Sequence, residues 1–153
     1  MNNNKAAGLS LANMWVGFIA FLAAAVMGLY QVIQRIDLIP QIMISDIYFA
    51  SVSTHGVLMG FVLTTFIIMG YGYYTATTSL NRPLWGGKLG WVGFLVSLAG
   101  VLIAAVPLLT GNASVLYTFY PPLMANPAFY IGATLLVVGS WFWCLIMVMS
   151  MRA

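Results

Sequence analysis

This sequence predicts an all-α integral membrane protein of four transmembrane helices with both termini in the cytoplasm. Three observations carry that expectation. The chain is 63% hydrophobic and 5% charged, it contains four long apolar runs, and its few charges are divided unevenly between the loops. A soluble domain carries about 25% charged residues. With five Lys and Arg and two Asp and Glu in 153 residues, this chain cannot cover its own surface in water. Lipid is therefore the solvent for most of it. A formal charge of +3 is too sparse for a nucleic-acid surface, which needs clustered Lys and Arg.

The apolar runs are residues 11–33, 47–74, 89–109 and 128–151. Each reaches the roughly 20 residues that a helix needs to cross the hydrocarbon core. Helix is the expected form because lipid offers no partner to a free backbone N–H or C=O. The alternation of a membrane barrel strand is absent. The segment before the first run is polar with one charge, Lys5, and the run itself is longer than a signal peptide's apolar region. No cleaved signal peptide is expected. With no repeat, linker or low-complexity tract, residues 1–153 read as one transmembrane domain.

The charges set the orientation. Lys5, Arg82, Lys88 and Arg152 fall on one side of the four spans, while Arg35 falls on the other with Asp37 and Asp46. The positive-inside rule puts the first group in the cytoplasm. Trp15, Tyr30, Tyr48, Tyr73, Tyr74, Trp85 and Trp91 collect near span ends, where interface anchors sit. The outer loops are residues 34–46 and 110–127. The second is uncharged and holds Tyr117, Phe119, Tyr120, Pro121 and Pro122, a composition that suits a loop covered by protein or lying in the interface. The tandem prolines bar helix there until about Leu123. Asn112-Ala113-Ser114 fits a glycosylation acceptor, but such triplets are common and this one lies close to the membrane.

His55 is the residue that points to chemistry. It lies about eight residues into the second span, roughly 12 Å below the outer end of the helix. An imidazole at that depth needs a polar partner or a metal. Gly56 and Gly60 follow it and strip side chains from part of the helix surface, leaving room for a large flat cofactor. Ser51 is one turn earlier on the same face. Its hydroxyl is placed to accept the ring N–H and turn the other nitrogen toward iron, and neutral imidazole is a good haem ligand. The residues alone leave two plainer readings open: a histidine bonded to a hydroxyl on a neighbouring helix, and small-residue spacing that serves helix packing. No carboxylate pair, second histidine, cysteine cluster or phosphate-binding glycine loop accompanies it. Met59 and Met69 are not at a copper-binding spacing, and Cys144 reads as a small buried hydrophobe.

The segment Ser53-Thr54-His55-Gly56-Val57-Leu58 resembles the second helix of subunit I of the haem–copper oxidases. Ala104-Ala105-Val106-Pro107-Leu108-Leu109 is similar to the end of the third helix. Leu116-Tyr117-Thr118-Phe119-Tyr120-Pro121-Pro122-Leu123 resembles the loop before the fourth in the B-type, or ba3-type, members. Phe129-Tyr130-Ile131-Gly132 resembles the opening of that fourth helix. Order and spacing agree over about residues 48–148.

This resemblance implies helices I–IV of the subunit, with His55 as one axial ligand of the low-spin haem, b-type or a-type. Ser51, Gly56 and Gly60 then border the cofactor, and Tyr117 lines the route of oxygen. It implies no catalytic residue in this chain. The family's second low-spin ligand, high-spin haem ligand and copper histidines lie beyond the matched stretch. The expected partners are the remaining helices of subunit I, other oxidase subunits, the bilayer and an electron donor on the outer side, with no nucleic acid. The expected location is the plasma membrane of a prokaryote. The implied function is the N-terminal portion of a cytochrome c oxidase subunit I, split, truncated or repurposed. The alternative is a non-catalytic assembly or packing subunit derived from the same helices. A transporter component ranks last, because intramembrane charges and symmetrically broken helices are missing.

Overall fold

A computed structural model describes residues 3–36, 45–79, 81, 83–116 and 119–152. It is all-helical: α1 (Asn3–Arg35), α2 (Ser45–Val57), a π-helical stretch (Leu58–Leu63), α3 (Thr64–Thr78), α4 (Gly87–Leu109) and α5 (Pro127–Arg152). α2, the π stretch and α3 follow one another without a break and form the second of the four helices that, among the described residues, are long and apolar enough to cross a membrane. The helices extend beyond the apolar runs, α1 and the second span at both ends and α4 only at its start.

The π stretch was not foreseen. It begins three residues after His55, and a π turn passes each N–H one carbonyl further back than an α turn does. The Thr64 hydroxyl, just after the stretch, donates to the Gly60 carbonyl within it at 2.6 Å. The fourth helix also starts later than the prolines require, at Pro127 rather than about Leu123.

α1 lies along the whole second span, α4 packs on α5, and contacts of α1 and α2 with α4 and of α3 with α5 join the two pairs. The α4–α5 contact is a glycine contact. A Cβ built at Gly100 or Gly132 would meet the other helix's backbone, and one at Gly139 would meet the Ser97 hydroxyl. Small residues let the two backbones approach, which is how helices associate where no water drives them together. Three apolar clusters stack along the bundle. Val57, Ala104, Leu108, Ala113, Val115 and Phe129 form the one beside the loop between α4 and α5. Ala20, Val62, Phe66, Met69 and Leu136 fill the middle. Leu9, Tyr73, Ala76, Leu84 and Ile146 close the opposite end. Outside these clusters, large apolar side chains such as Trp15, Ile19, Leu95, Leu102 and Trp141 face outward, and so does Cys144, contrary to its expected burial.

The described residues of the loop between α4 and α5 fold back on their own chain. Phe119 and Ala125 pack against the first cluster, and the Leu116 N–H donates to Ser53 Oγ at 2.8 Å. This chain does not cover the loop: of its described residues only Ala113 and Val115 are buried, while Tyr120, Pro121, Pro122 and Met124 are exposed.

Candidate functional site

The site is a seam between α1 and α2. His55 is half-buried and its Nδ1 lies 2.8 Å from the Ala24 carbonyl oxygen on α1. A carbonyl only accepts, so this bond requires the proton on Nδ1 and leaves the lone pair on Nε2. That carbonyl is reachable because the residue one turn further along α1 is a glycine. A Cβ at Gly28 would stand 3.0 Å from His55 Cε1 and 3.2 Å from Nδ1. Ala24, fully buried, and Gly28 thus form a shelf against which the imidazole lies.

Towards the C-terminal end of α1 the seam continues with polar ties. Gln31 Nε2 donates to the Ser51 carbonyl at 3.1 Å, and Arg35 Nε donates to Tyr48 Oη at 2.7 Å. The two residues before His55 anchor it from other sides. Ser53 receives the loop N–H of Leu116, and Thr54 Oγ1 donates to Ala50 O at 2.8 Å within its own helix. Three successive side chains of α2 therefore fix the loop between α4 and α5, the helix itself and α1.

Of the expected site residues, His55 is held by a polar contact to another helix. Ser51 does not bond the imidazole. Its hydroxyl donates to the Tyr48 carbonyl at 2.7 Å, the usual habit of a helical serine that finds a backbone oxygen one turn back. Ala24 O takes the role expected of Ser51. Gly56 is half-buried beside His55. Gly60 is exposed in the π stretch, and a Cβ there would meet nothing within 4 Å, so no helix of this chain packs on it. Tyr117 lies outside the described residues. Sequence reasoning missed Ala24, Gly28 and Ser53. The spacing of Ala24, Gly28, Gln31 and Arg35 along one helix face was the available signal.

Two apolar spaces flank the seam. A cavity of about 320 Å³ lies between the π stretch, α4, α5 and Phe119, with Phe61, Ala104, Phe129 and Ala133 in its wall. A groove of about 350 Å³ runs between α1, α2 and α4, lined by Ala23, Thr54, Leu98 and Leu102 among others. Among the described residues there is no group of three or more His, Cys, Asp or Glu able to hold a bare metal ion. A haem is a different case, because it brings four nitrogens of its own and asks one protein atom for each face. His55 Nε2, left free by a ring held at Nδ1, fits that demand.

Comparison with known proteins places the chain. Residues 8–153 match the family model described as Cytochrome C and Quinol oxidase polypeptide I. The chain is 34% identical over 133 residues to cytochrome c oxidase subunit 1 of Thermus thermophilus, covering 82% of this chain and 23% of that protein. A chain from a cryo-EM structure of a heme-copper terminal oxidase dimer superposes with a TM-score of 0.83 at 34% identity, over 93% of this chain and 24% of the other. The chain thus spans about a quarter of the length of the relatives it matches. With the four-helix fold and the match over nearly its whole length, it belongs to the family of cytochrome c and quinol oxidase polypeptide I.

Proposed function

We propose that this chain provides the first four helices of subunit I of a B-type cytochrome c oxidase, and that His55 is an axial ligand of its low-spin haem. The observation that carries this reading is the imidazole held at 2.8 Å by the Ala24 carbonyl with Nε2 left unbonded. Among the described residues His55 makes no other hydrogen bond. The carbonyl fixes the tautomer and the ring plane, and by drawing on the Nδ1 proton it makes Nε2 a stronger donor to a metal. Gly28 keeps the shelf flat. Thr54 and Ser53 hold the helix and loop around the ring, so that the ligand does not have to be ordered when the cofactor binds.

A haem bound there, b-type or a-type, supplies reversible one-electron chemistry. Its second axial ligand, the high-spin haem and the copper belong to helices outside the matched stretch, which are the partners this reading requires. The B-type assignment rests on the similarity of Leu116–Leu123 and Phe129–Gly132 to that group. Gly56 and Gly60 give the cofactor edge an approach free of side chains, consistent with the open space at Gly60. The apolar cavity beside Phe119 and Phe129 suits passage of an uncharged gas such as oxygen, with Tyr117 in the adjoining loop. The electron donor acts on the outer side, and the membrane is the plasma membrane of a prokaryote.

The test compares haem spectra of the isolated chain and of the complex purified from membranes. The complex should show a sharp low-spin spectrum that His55→Ala abolishes, and the isolated chain should show weak, high-spin or no haem. A low-spin spectrum that survives His55→Ala removes the ligand assignment. A stable six-coordinate haem in the isolated monomer removes the need for a second chain. A packing subunit would leave the haem spectrum of the complex unchanged by His55→Ala.

A further inference from the structure

The groove between α1, α2 and α4 has a floor and two walls. Thr54, Leu58 and Val62 of the second span form the floor. Val16, Ile19 and Ala23 line one wall and Leu98, Leu102 and Leu109 the other, each set at helical spacing. Thr54 carries the one hydroxyl of the lining. It donates to Ala50 O at 2.8 Å within its own helix, so nothing in the groove calls for water.

Length and polarity follow the bilayer. From Leu98 to Leu109 the helix rises about 16 Å, and half of the hydrocarbon core is about 15 Å. Leu109 is exposed at the mouth, and the exposed polar residues Thr110 and Asn112 follow it on the side of the loop between α4 and α5. A polar end above an apolar slot one leaflet deep is the order of a lipid. A further helix does not fit. α1 and α4 touch each other as well as the second span, so the slot between them is narrower than the roughly 10 Å of a helix with its side chains.

We infer that this groove binds one acyl chain of a phospholipid, from the leaflet on the side of the loop between α4 and α5. An apolar gap leaves the atoms of its lining without partners on one side. A hydrocarbon chain in the slot meets protein on three sides, whereas a lipid at an ordinary helix face meets it on one. Packing of this kind, rather than exclusion of water, holds apolar groups together in a membrane. The chain in the slot therefore stays when its neighbours exchange. The inference stands apart from the reading of His55. Ala23 and Thr54, which border the groove, adjoin in sequence Ala24 and His55, which make the bond across the α1–α2 seam. The bound chain packs beside that seam and fills the space between α1 and α4.

The experiment uses the whole complex in nanodiscs doped with phosphatidylcholine that carries a photoreactive diazirine on one acyl chain, either near the ester or at the tip. Mass spectrometry maps the cross-linked residues, and native mass spectrometry of the detergent-purified complex reads retained lipid. The ester-end probe should mark Ala23 and Leu109 and the tip probe Val16 and Leu98, both more strongly than the exposed Trp15 and Val26 of α1. Ala23→Phe and Leu102→Trp fill the slot from opposite walls, and each should abolish the labelling and the retained phospholipid. Labelling spread evenly over the groove and the exposed faces means ordinary boundary lipid and overturns the inference. An unlabelled groove means that protein covers it and overturns it too. So does a retained molecule that proves to be an isoprenoid or a free fatty acid, or a phospholipid retained in both variants. If neither variant assembles, the depth order of the two probes in the wild type decides: the same residues marked by both probes would sink the proposal.

Discussion

Gly28→Ala separates the cofactor's needs from the fold's. A Cβ at residue 28 would stand 3.0 Å from Cε1, 3.2 Å from Nδ1 and 3.8 Å from Nε2 of His55. Non-bonded carbons settle at about 3.5–4.0 Å, so the ring must retreat by roughly 0.5 Å. The Nδ1 to Ala24 oxygen distance, now 2.8 Å, then opens to about 3.2–3.3 Å, the edge of the N–H···O range. Losing such a bond costs about 0.5–1.5 kcal/mol. Partners that orient a metal-bound histidine typically account for about 10–100-fold in metal affinity. The helix responds in the opposite sense, because alanine in place of an interior glycine gains about 0.5–1 kcal/mol. Gly28→Ala should therefore keep or raise the thermal stability of the complex while haem is lost about tenfold faster to an excess of an apo-globin acceptor. Gly28→Leu should lose haem faster still. Haem retention within twofold of wild type in Gly28→Ala, with an unchanged low-spin spectrum, would refute the shelf.

Three further outcomes are expected. Cysteine labelling at Thr78 and at Asn112 should report opposite sides of the membrane, the first cytoplasmic; the same side at both positions contradicts the topology. Gly132→Leu should prevent assembly, because even its Cβ would meet the Gly100 carbonyl and the Ala104 backbone, whereas Gly60→Leu should leave the isolated chain folded and lower haem content in the complex. Equal expression and protease resistance of Gly132→Leu and wild type would remove the close α4–α5 approach. Ser53→Ala deprives the Leu116 N–H of its acceptor, at a cost of about 1–3 kcal/mol. Limited proteolysis should then cut the outer loop faster, and an unaltered cleavage rate would mean that the loop is held by its apolar contacts alone.

What the sequence disclosed and what it hid divide along a physical line. The four spans were legible because crossing lipid demands some 20 apolar residues in a row, a constraint written in side chains. His55 was legible for the same reason, as a polar group where polar groups are costly. The contacts that position it were not, because they are made by backbone. Ala24 offers a carbonyl and Gly28 offers the absence of a side chain, and neither announces itself in a string of small apolar residues. Ser51, the plausible side-chain partner, instead bonds the Tyr48 carbonyl in its own helix. The same limit hid the α4–α5 interface, where Gly100 and Gly132 bring backbone against backbone. The π stretch left no mark beyond Gly60 and Thr64. In water, a histidine could have been oriented by almost any polar neighbour, with solvent satisfying the remainder. In lipid, the nearest reliable acceptor is a helix carbonyl bared by a glycine one turn further on. A search for such small-residue faces opposite a membrane histidine would have singled out Ala24, Gly28, Gln31 and Arg35. That search needs only the order of the spans and the antiparallel pairing of the first two, both of which the sequence supplies.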